Sequence, residues 1–253
     1  SDLVVANVNS EDISILMNNG DGIFQDQVRY PILGVANSIT AADLTGDGKP
    51  DLAIANANSN VISVLVNNGN GTFQAQVWMR YAAGDSPKSI AAADFTSDSK
   101  PDLAVANHES ADVSVLVNKG DGTFQTQVRY PVGDGPSSIV AADLSNDGKP
   151  DIAVTNSESS DISVLLNIGD NTFQTQVRYA TGNGPSSIAV ADLTGDGYLD
   201  LAVANLGSDD VSVFVNKGDG TFQSQVRYTV GSSPKFIVAA DLSGDGSLDL
   251  AVA

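Results

Sequence analysis

A nine-residue acidic segment occurs five times in this chain of 253 residues and constrains its fold more than any other feature. Successive copies begin 51, 49, 49 and 49 residues apart, at Asp43, Asp94, Asp143, Asp192 and Asp241. The longer interval has a local cause, because residues 76–81 carry two residues more than their counterpart, residues 127–130. Repetition at this period predicts a repeat architecture in a single domain that spans residues 1–253.

Each repeat carries four segments with the pattern of short β-strands. In the third repeat these segments are residues 138–143, 151–156, 161–167 and 173–179. Alternating apolar positions and β-branched side chains indicate strands, and no segment keeps the 3.6-residue period of a helix. The pair Asp121-Gly122 favours a hairpin turn, and the stretch from Gly133 to Pro136 separates one repeat from the next.

A four-stranded sheet made from one such repeat cannot bury both of its faces by itself. Stacking the copies around an axis buries them against each other, which predicts an all-β fold, a β-propeller with one repeat of four strands per blade. Ala and Val dominate the first two strands, where the blades lie closest together near the axis. Phe and Tyr recur in the last strand, where the space between neighbouring blades is wider. A parallel β-helix needs a much shorter period, and the signature residues of WD and kelch propellers are missing.

The number of blades stays open, because the chain starts and stops within a repeat. Residues 2–7 and 249–253 both match the second strand, so this strand occurs six times and the other three occur five times. Either five blades close with both termini in one blade, or the repeats belong to a larger ring that is truncated or completed by another chain. The sequence starts with neither Met nor a signal peptide, which we interpret as a processed or excised segment.

The acidic segment places side-chain oxygens at positions 1, 3, 5 and 9, with Gly48 at position 6 of the first copy. Oxygen ligands at alternate positions and a sharp turn at glycine are what Ca²⁺ requires, and the carbonyl at position 7 can add a ligand. Mg²⁺ is disfavoured by its demand for octahedral geometry, and transition metals by the scarcity of imidazole and thiolate. The alternative is that Asp and Gly only shape tight turns. Because three carboxylates would repel each other in every loop, we predict up to five Ca²⁺ ions.

The predicted ligands occupy positions 1, 3, 5, 7 and 9 of each loop. In chain order they are Asp43, Thr45, Asp47, Lys49, Asp51, Asp94, Thr96, Asp98, Lys100, Asp102, Asp143, Ser145, Asp147, Lys149, Asp151, Asp192, Thr194, Asp196, Tyr198, Asp200, Asp241, Ser243, Asp245, Ser247 and Asp249. The second loop has serine at both glycine positions, and a positive φ at Ser99 would cost about 1 kcal/mol. We therefore expect the loop from Asp94 to Asp102 to be the weakest site. The fifth loop depends on ring closure to be held in place.

The loop Asp-x-Thr/Ser-Gly-Asp-Gly-x-x-Asp, the Gly-Asp-Gly-Thr-Phe turn and the element Gly231-Ser-Ser-Pro234 resemble the FG-GAP or VCBS repeats of integrin-α-like propellers. The resemblance covers the whole chain. It implies blades that hold Ca²⁺ in the loop between the first two strands, on extracellular proteins, with Asp43, Asp47, Asp51 and their equivalents as ligands. This chain departs from the integrin pattern at position 3, where Thr or Ser replaces a carboxylate, and the first repeat lacks the proline of the Gly-x-x-Pro element.

The formal net charge of −19 argues against several classes of partner. A strongly negative field repels phosphate, so neither nucleic acid nor an anionic membrane surface is an expected partner. No stretch reaches the roughly 18 apolar residues of a membrane span, so membrane insertion is not expected. The predicted loops hold 15 of the 31 acidic residues, and five Ca²⁺ ions would bring the net charge to about −9.

Calcium is expected to serve structure rather than catalysis, so its removal should lower the melting temperature. Low affinity, on the order of 10⁻⁴–10⁻³ M, is typical of extracellular modules and favours a secreted or cell-surface protein. The single histidine, His108, follows a strand, and the other repeats have Ser, Ala, Leu or Val there. A lone histidine of this kind is more often a surface residue than an acid or base, so we predict that the protein is not an enzyme.

We therefore expect a binding or adhesion module for a protein or carbohydrate ligand. A lectin needs aromatic platforms, but aromatic residues make up only 6 % of the chain, and its one tryptophan, Trp78, is interpreted as a bulge residue on an outer strand. Recurring Arg-Tyr pairs are interpreted as structural, with Arg neutralising a nearby Asp and Tyr at a blade interface. They are Arg29-Tyr30, Arg129-Tyr130, Arg178-Tyr179 and Arg227-Tyr228. One alternative is a lectin with repeated sugar sites between the blades, and another is an assembly unit that forms oligomers through its terminal strands. The resemblance also implies a minor alternative, part of a polysaccharide-degrading enzyme, because some propellers of this kind occur in polysaccharide lyases.

Overall fold

The computed structural model describes residues 2–32, 34–74 and 79–253. Within these residues, strands form all of the regular structure except one 3-10 turn at Ala57–Ser59. None of the described segments is a helix with the length and apolar character that crossing a membrane demands. Trp78 and its predicted bulge lie outside the described residues.

Successive antiparallel sheets follow each other along the chain, and the first has three strands, β1 (Leu3–Asn7), β2 (Asp12–Leu16) and β3 (Val28–Pro31). The second sheet contains β4 (Ala36–Ala42), β5 (Asp51–Asn56), β6 (Val61–Leu65) and β7 (Arg80–Ala82). The third contains β8 (Pro87–Ala93), β9 (Asp102–Asn107), β10 (Asp112–Leu116) and β11 (Val128–Pro131).

The fourth sheet contains β12 (Pro136–Ala142), β13 (Asp151–Asn156), β14 (Asp161–Leu165) and β17 (Val177–Ala180), and a small hairpin, β15 (Asn167–Gly169) with β16 (Thr172–Phe173), interrupts it. The fifth contains β18 (Pro185–Ala191), β19 (Asp200–Asn205), β20 (Asp210–Phe214) and β21 (Val226–Thr229). The last has two strands, β22 (Ile237–Ala240) and β23 (Asp249–Val252). The four-stranded repeat predicted by the sequence is therefore confirmed.

The hydrophobic core lies between neighbouring sheets. One cluster joins Leu44, in the acidic loop after β4, to Phe124 of the following repeat. Another places Phe95 against Phe173 of the following repeat, with ring centroids 5.5 Å apart. The second strand of each complete sheet is buried along its whole length because sheets cover both of its faces. Sheets that bury their faces against neighbours in this way form the blade stack of a β-propeller.

The outer strand is shorter than the sequence predicts. In the third repeat, the predicted strand 173–179 is divided, because Phe173 pairs with Asn167 in the small hairpin and β17 begins only at Val177. Between these two points the Gln174 amide donates to the carbonyl of Leu166. The alternating pattern of residues 173–179 therefore covers two pairings rather than one continuous strand.

The terminal strands lie in different sheets. β1 pairs with β2, and β23 pairs with β22, as two further copies of the second strand of the repeat. Within the described part of the chain, no backbone pairing joins these two sheets. Closure of five blades, with both termini in one of them, therefore stays a prediction.

Candidate metal centre

Each acidic loop connects the inner strand of a sheet to the second strand, as between β4 and β5. Antiparallel pairing brings position 9, the first residue of the second strand, opposite the last residue of the inner strand, as for Asp51 and Ala42. The loop is thereby closed at its base by the sheet itself. This geometry is repeated in all five loops.

The aspartate at position 9 anchors the loop to the sheet. In the first loop, Asp51 is fully buried, and its Oδ2 accepts the amide protons of Leu44 and Thr45, each at 3.0 Å. Its Oδ1 accepts the amide of Asn67 in the next hairpin, at 2.8 Å. The equivalent aspartates Asp102, Asp151 and Asp200 are also fully buried and accept the equivalent asparagine amides.

This anchoring role was missed by the sequence analysis, which treated position 9 only as a metal ligand. Its signal was an asparagine 16 residues after each of the first four position-9 aspartates, at Asn67, Asn118, Asn167 and Asn216.

The aspartate at position 1 folds the loop around itself. Asp43 accepts amide protons from Gly46, Asp47 and Gly48 at 2.8–3.1 Å. In the fourth and fifth loops, the amides of Gly197 and Gly246 are the main cause that lowers the pKa of Asp192 and Asp241. These backbone bonds stabilise the charged carboxylates and give every loop the same turn.

The aspartate at position 5 distinguishes two kinds of loop. In the first three loops it binds the lysine at position 7, with Nζ–Oδ2 distances of 2.6, 2.8 and 2.7 Å for Lys49–Asp47, Lys100–Asp98 and Lys149–Asp147. Each lysine hydrogen bond lowers the pKa of its aspartate. The fourth and fifth loops have Tyr198 and Ser247 at position 7. Their carboxylates, Asp196 and Asp245, have no salt-bridge partner among the described residues.

Burial leaves negative charge poorly compensated in the second and third loops. It raises the pKa of Asp102 to about 6, and the nearby charges of Asp98 and Asp94 contribute to the increase. Burial likewise raises the pKa of Asp151. A cation close to these carboxylates would remove part of this electrostatic cost.

The second loop is strained, as its sequence predicts. Ser97 and Ser99 have φ angles of 60° and 66°, in the left-handed region that favours glycine. The equivalent positions of the first loop are glycines. The cost predicted for Ser99 therefore applies to two residues of this loop.

The donor set suits calcium, although the carboxylates do not converge. Within the described residues, no group of three or more acidic or histidine side chains is arranged to hold a metal ion. The carboxylates at positions 1 and 5 instead face backbone amides and lysines. All the donors at the predicted ligand positions are oxygens from carboxylate, hydroxyl and carbonyl groups, and these are the ligands of Ca²⁺. The two carboxylates would have to turn from their present partners towards a bound ion.

In the Arg-Tyr pairs, every arginine has the structural role that the sequence predicts, and so does every tyrosine except Tyr228. Arg29, Arg129, Arg178 and Arg227 form ion pairs with aspartates on the neighbouring strand, Asp12, Asp112, Asp161 and Asp210. Tyr30 and Tyr179 accept the amides of Phe73 and Phe222 in the following repeat. The ion pairs therefore link neighbouring strands of one sheet, and the two tyrosines link neighbouring repeats, whereas Tyr228 is 56 % exposed.

Four-stranded sheets packed face to face, with an acidic loop after each inner strand, define this chain as a propeller-type repeat protein. The model of the FG-GAP-like repeat matches residues 1–54, 43–105, 94–154, 144–203 and 193–252. The chain therefore belongs to the FG-GAP-like repeat family, in agreement with the resemblance of its motifs.

Solved structures with a similar fold include proteins of different activities. A periplasmic gluconolactonase of Pseudomonas aeruginosa matches with a TM-score of 0.74 at 17 % identity, over 100 % of this chain and 70 % of that protein. A lectin of Agrocybe aegerita, studied for recognition of non-reducing terminal N-acetylglucosamine, matches with a TM-score of 0.60 at 20 % identity, over 99 % of this chain and 73 % of that protein. A virginiamycin B lyase of Staphylococcus aureus matches with a TM-score of 0.66 at 12 % identity, over 99 % of this chain and 80 % of that protein. No curated protein sequence matches the chain. At these identities the likeness concerns the fold alone.

Proposed function

We propose that this chain is a secreted, calcium-stabilised β-propeller that acts as a non-enzymatic binding module for a glycan or protein ligand. The observation that carries the proposal is the fivefold acidic loop, which presents only oxygen donors and is built on the same backbone turn in every repeat. Calcium held there would offset the repulsion among three carboxylates and fix the end of each blade.

The fourth and fifth loops are proposed as the stronger calcium sites, because no lysine occupies their position 7. In the first three loops, calcium must compete with a lysine ammonium for the position-5 carboxylate. The second loop carries the strain of Ser97 and Ser99 as well, which supports its rank as the weakest site.

The non-enzymatic part of the proposal rests on the side chains near His108. This histidine is half-buried and lies at a shallow depression with Glu109, Asp134 and Glu158. Its backbone amide is bonded to the carbonyl of Ser86. The other repeats have no histidine at this position, so His108 is not part of the repeated architecture.

Calorimetric titration of Ca²⁺ into protein dialysed against a chelator tests the metal part of the proposal. We expect saturable binding, absent with Mg²⁺ at the same concentration, and a weaker response after Asp192→Asn. A glycan array probed with and without Ca²⁺ then tests the binding part. No calcium binding would contradict the first part, and turnover of a bound glycan would contradict the second.

A further inference from the structure

A second site lies at the opposite end of the inner strands from the acidic loops. We call it the axial pocket: a cavity of about 570 Å³ lined by the starts of the five inner strands, at residues 37–38, 88–89, 137–139, 186–189 and 235–239. Its volume is in the range of small-molecule sites, which is about 300–1,000 Å³. Because one cavity touches all five inner strands, it lies where the blades meet.

Two lysines of the axial pocket give it a positive charge. Lys88 and Lys235 are exposed, and neither has an ion-pair partner among the described residues. The three lysines of the acidic loops, by contrast, are each paired with an aspartate. In a chain with a net charge of −19, two unpaired ammonium groups at one cavity select an anionic ligand.

Serine hydroxyls of the pocket can donate hydrogen bonds to the same ligand. Ser38, Ser89 and Ser187 each accept the amide proton of an isoleucine on the next inner strand, at 3.3 Å. A hydroxyl group that accepts in this way still carries its own proton. Three such protons around a cavity are suited to the oxygens of a polyhydroxylated molecule.

An exposed aromatic ring completes the pocket. Phe236 lines it and is 64 % exposed, whereas the other four repeats have serine at this position. An aromatic face that is open to solvent inside a polar cavity can cover the apolar C–H face of a sugar ring. The fifth repeat therefore supplies the platform that a carbohydrate site needs.

We infer that the axial pocket binds an acidic sugar, with its carboxylate at Lys88 and Lys235, its hydroxyls at the serines and its ring on Phe236. The inference rests on the proposed binding function and names its ligand class and its site. A simple anion would use the lysines but not Phe236, so the aromatic ring favours a sugar acid over a free inorganic ion.

Titration of the full chain with glucuronate, glucose and sulfate, at constant ionic strength and in calcium, tests this inference. We expect glucuronate to bind at least tenfold more tightly than glucose or sulfate. The double variant Lys88→Gln/Lys235→Gln should weaken glucuronate binding at least tenfold. The matched control Lys119→Gln/Lys217→Gln changes two exposed lysines on hairpins and should leave binding unchanged.

Phe236→Ser restores the residue of the other repeats and should weaken glucuronate binding without changing sulfate binding. Equal affinity for glucuronate and sulfate would overturn the sugar assignment, and unchanged binding in the double lysine variant would overturn the site. A neutral glycan bound on the array by both wild type and double variant would contradict the axial pocket but preserve the proposed binding function. Silence on the array and in every titration would overturn both.

Discussion

Three buried asparagines, one in each of the last three complete sheets, join their sheet to the acidic loop of the preceding repeat. Asn118 donates to the carbonyl of Leu44 in the preceding repeat at 2.9 Å and to that of Pro101 in its own repeat at 3.0 Å. Asn167 and Asn216 make the same pair of bonds. One amide group thus stabilises both the loop of its own repeat and the interface with the preceding one.

Replacing Asn118 with alanine should lower the free energy of unfolding by about 1–3 kcal/mol, because it leaves buried carbonyl oxygens without their side-chain donor. Urea denaturation monitored by circular dichroism measures the change. Asn67→Ala is the matched control, since Asn67 is the equivalent residue and its side chain bonds Pro50 without an inter-sheet partner among the described residues. Equal losses in both variants would contradict a role at the interface.

The strain in the second loop predicts a stabilising substitution. Ser99 has a φ of 66°, so Ser99→Gly should raise the free energy of unfolding by about 1 kcal/mol. The converse change, Gly148→Ser in the third loop, should lower it by a similar amount, since Gly148 has a φ of 83° and open space where a Cβ would lie. Thermal unfolding of both variants in chelator separates the strain from any effect on metal binding. If both changes shift stability in the same direction, backbone strain is not the cause.

The sequence predicted contacts within a repeat better than contacts between repeats. The Arg129–Asp112 pair could be predicted because both residues lie on adjacent strands, 17 positions apart, and carry opposite charges. The bond from Asn118 to Leu44 spans 74 residues and depends on how two sheets stack, which no local pattern encodes. The buried aspartates had a signal within their own repeat, an asparagine 16 residues later, but their role as loop anchors was missed because position 9 was interpreted only as a metal ligand.

At the scale of structural elements, the five loops share a backbone but differ in charge. A lysine compensates the position-5 aspartate in the first three loops, and tyrosine or serine stands there in the last two. The sequence showed these residues at position 7, but it gave only their carbonyls a role. The ion pairs emerge from the turn geometry, which brings residues two positions apart within 2.6–2.8 Å.

Removing the lysine should strengthen calcium binding in the third loop. Lys149→Gln frees Asp147 from an exposed and therefore weak ion pair, so the affinity of that loop should rise by a factor of up to about five. Tyr198→Lys makes the reverse exchange in the fourth loop and should weaken its binding by a similar factor. Calorimetric titration of each variant beside wild type measures both effects. Unchanged affinity in both variants would show that the lysines do not compete with calcium.

Strand prediction succeeded where burial is uniform and failed at the outer edge. The second strands, such as β9 and β13, are apolar and buried on both faces, so their short apolar runs predicted the strands correctly. The outer segment 173–179 alternates equally well, but its pairing changes partner near Gln174. Alternation identifies an extended chain but does not reveal where one hydrogen-bonded partner replaces another.

At the scale of the whole molecule, charge and stacking oppose each other. The blade stack buries apolar faces, whereas a net charge of −19 repels itself across the compact state. Position 1 and position 5 of every loop add carboxylates at one end of the sheets, where the repulsion is concentrated. Added salt screens exposed charges over about 10 Å at 0.1 M, but it cannot bridge the carboxylates within one loop.

Calcium should therefore raise the melting temperature more than sodium chloride does at the same ionic strength. One site at a hundredfold excess over Kd contributes about 2.7 kcal/mol, and at about 2–4 °C per kcal/mol for a chain of this size the shift is about 5–10 °C. Scanning calorimetry in chelator, Ca²⁺, Mg²⁺ and NaCl of matched ionic strength measures the shift in melting temperature. The variant Asp192→Asn should lose part of the shift caused by calcium and keep the shift caused by salt. An equal response to NaCl would mean that screening alone stabilises the molecule and that the acidic loops act only as turns. A larger response to calcium that Asp192→Asn reduces would show that the acidic loops bind the ion. Screening by salt acts on all exposed charges alike, so it would not depend on one aspartate of one loop.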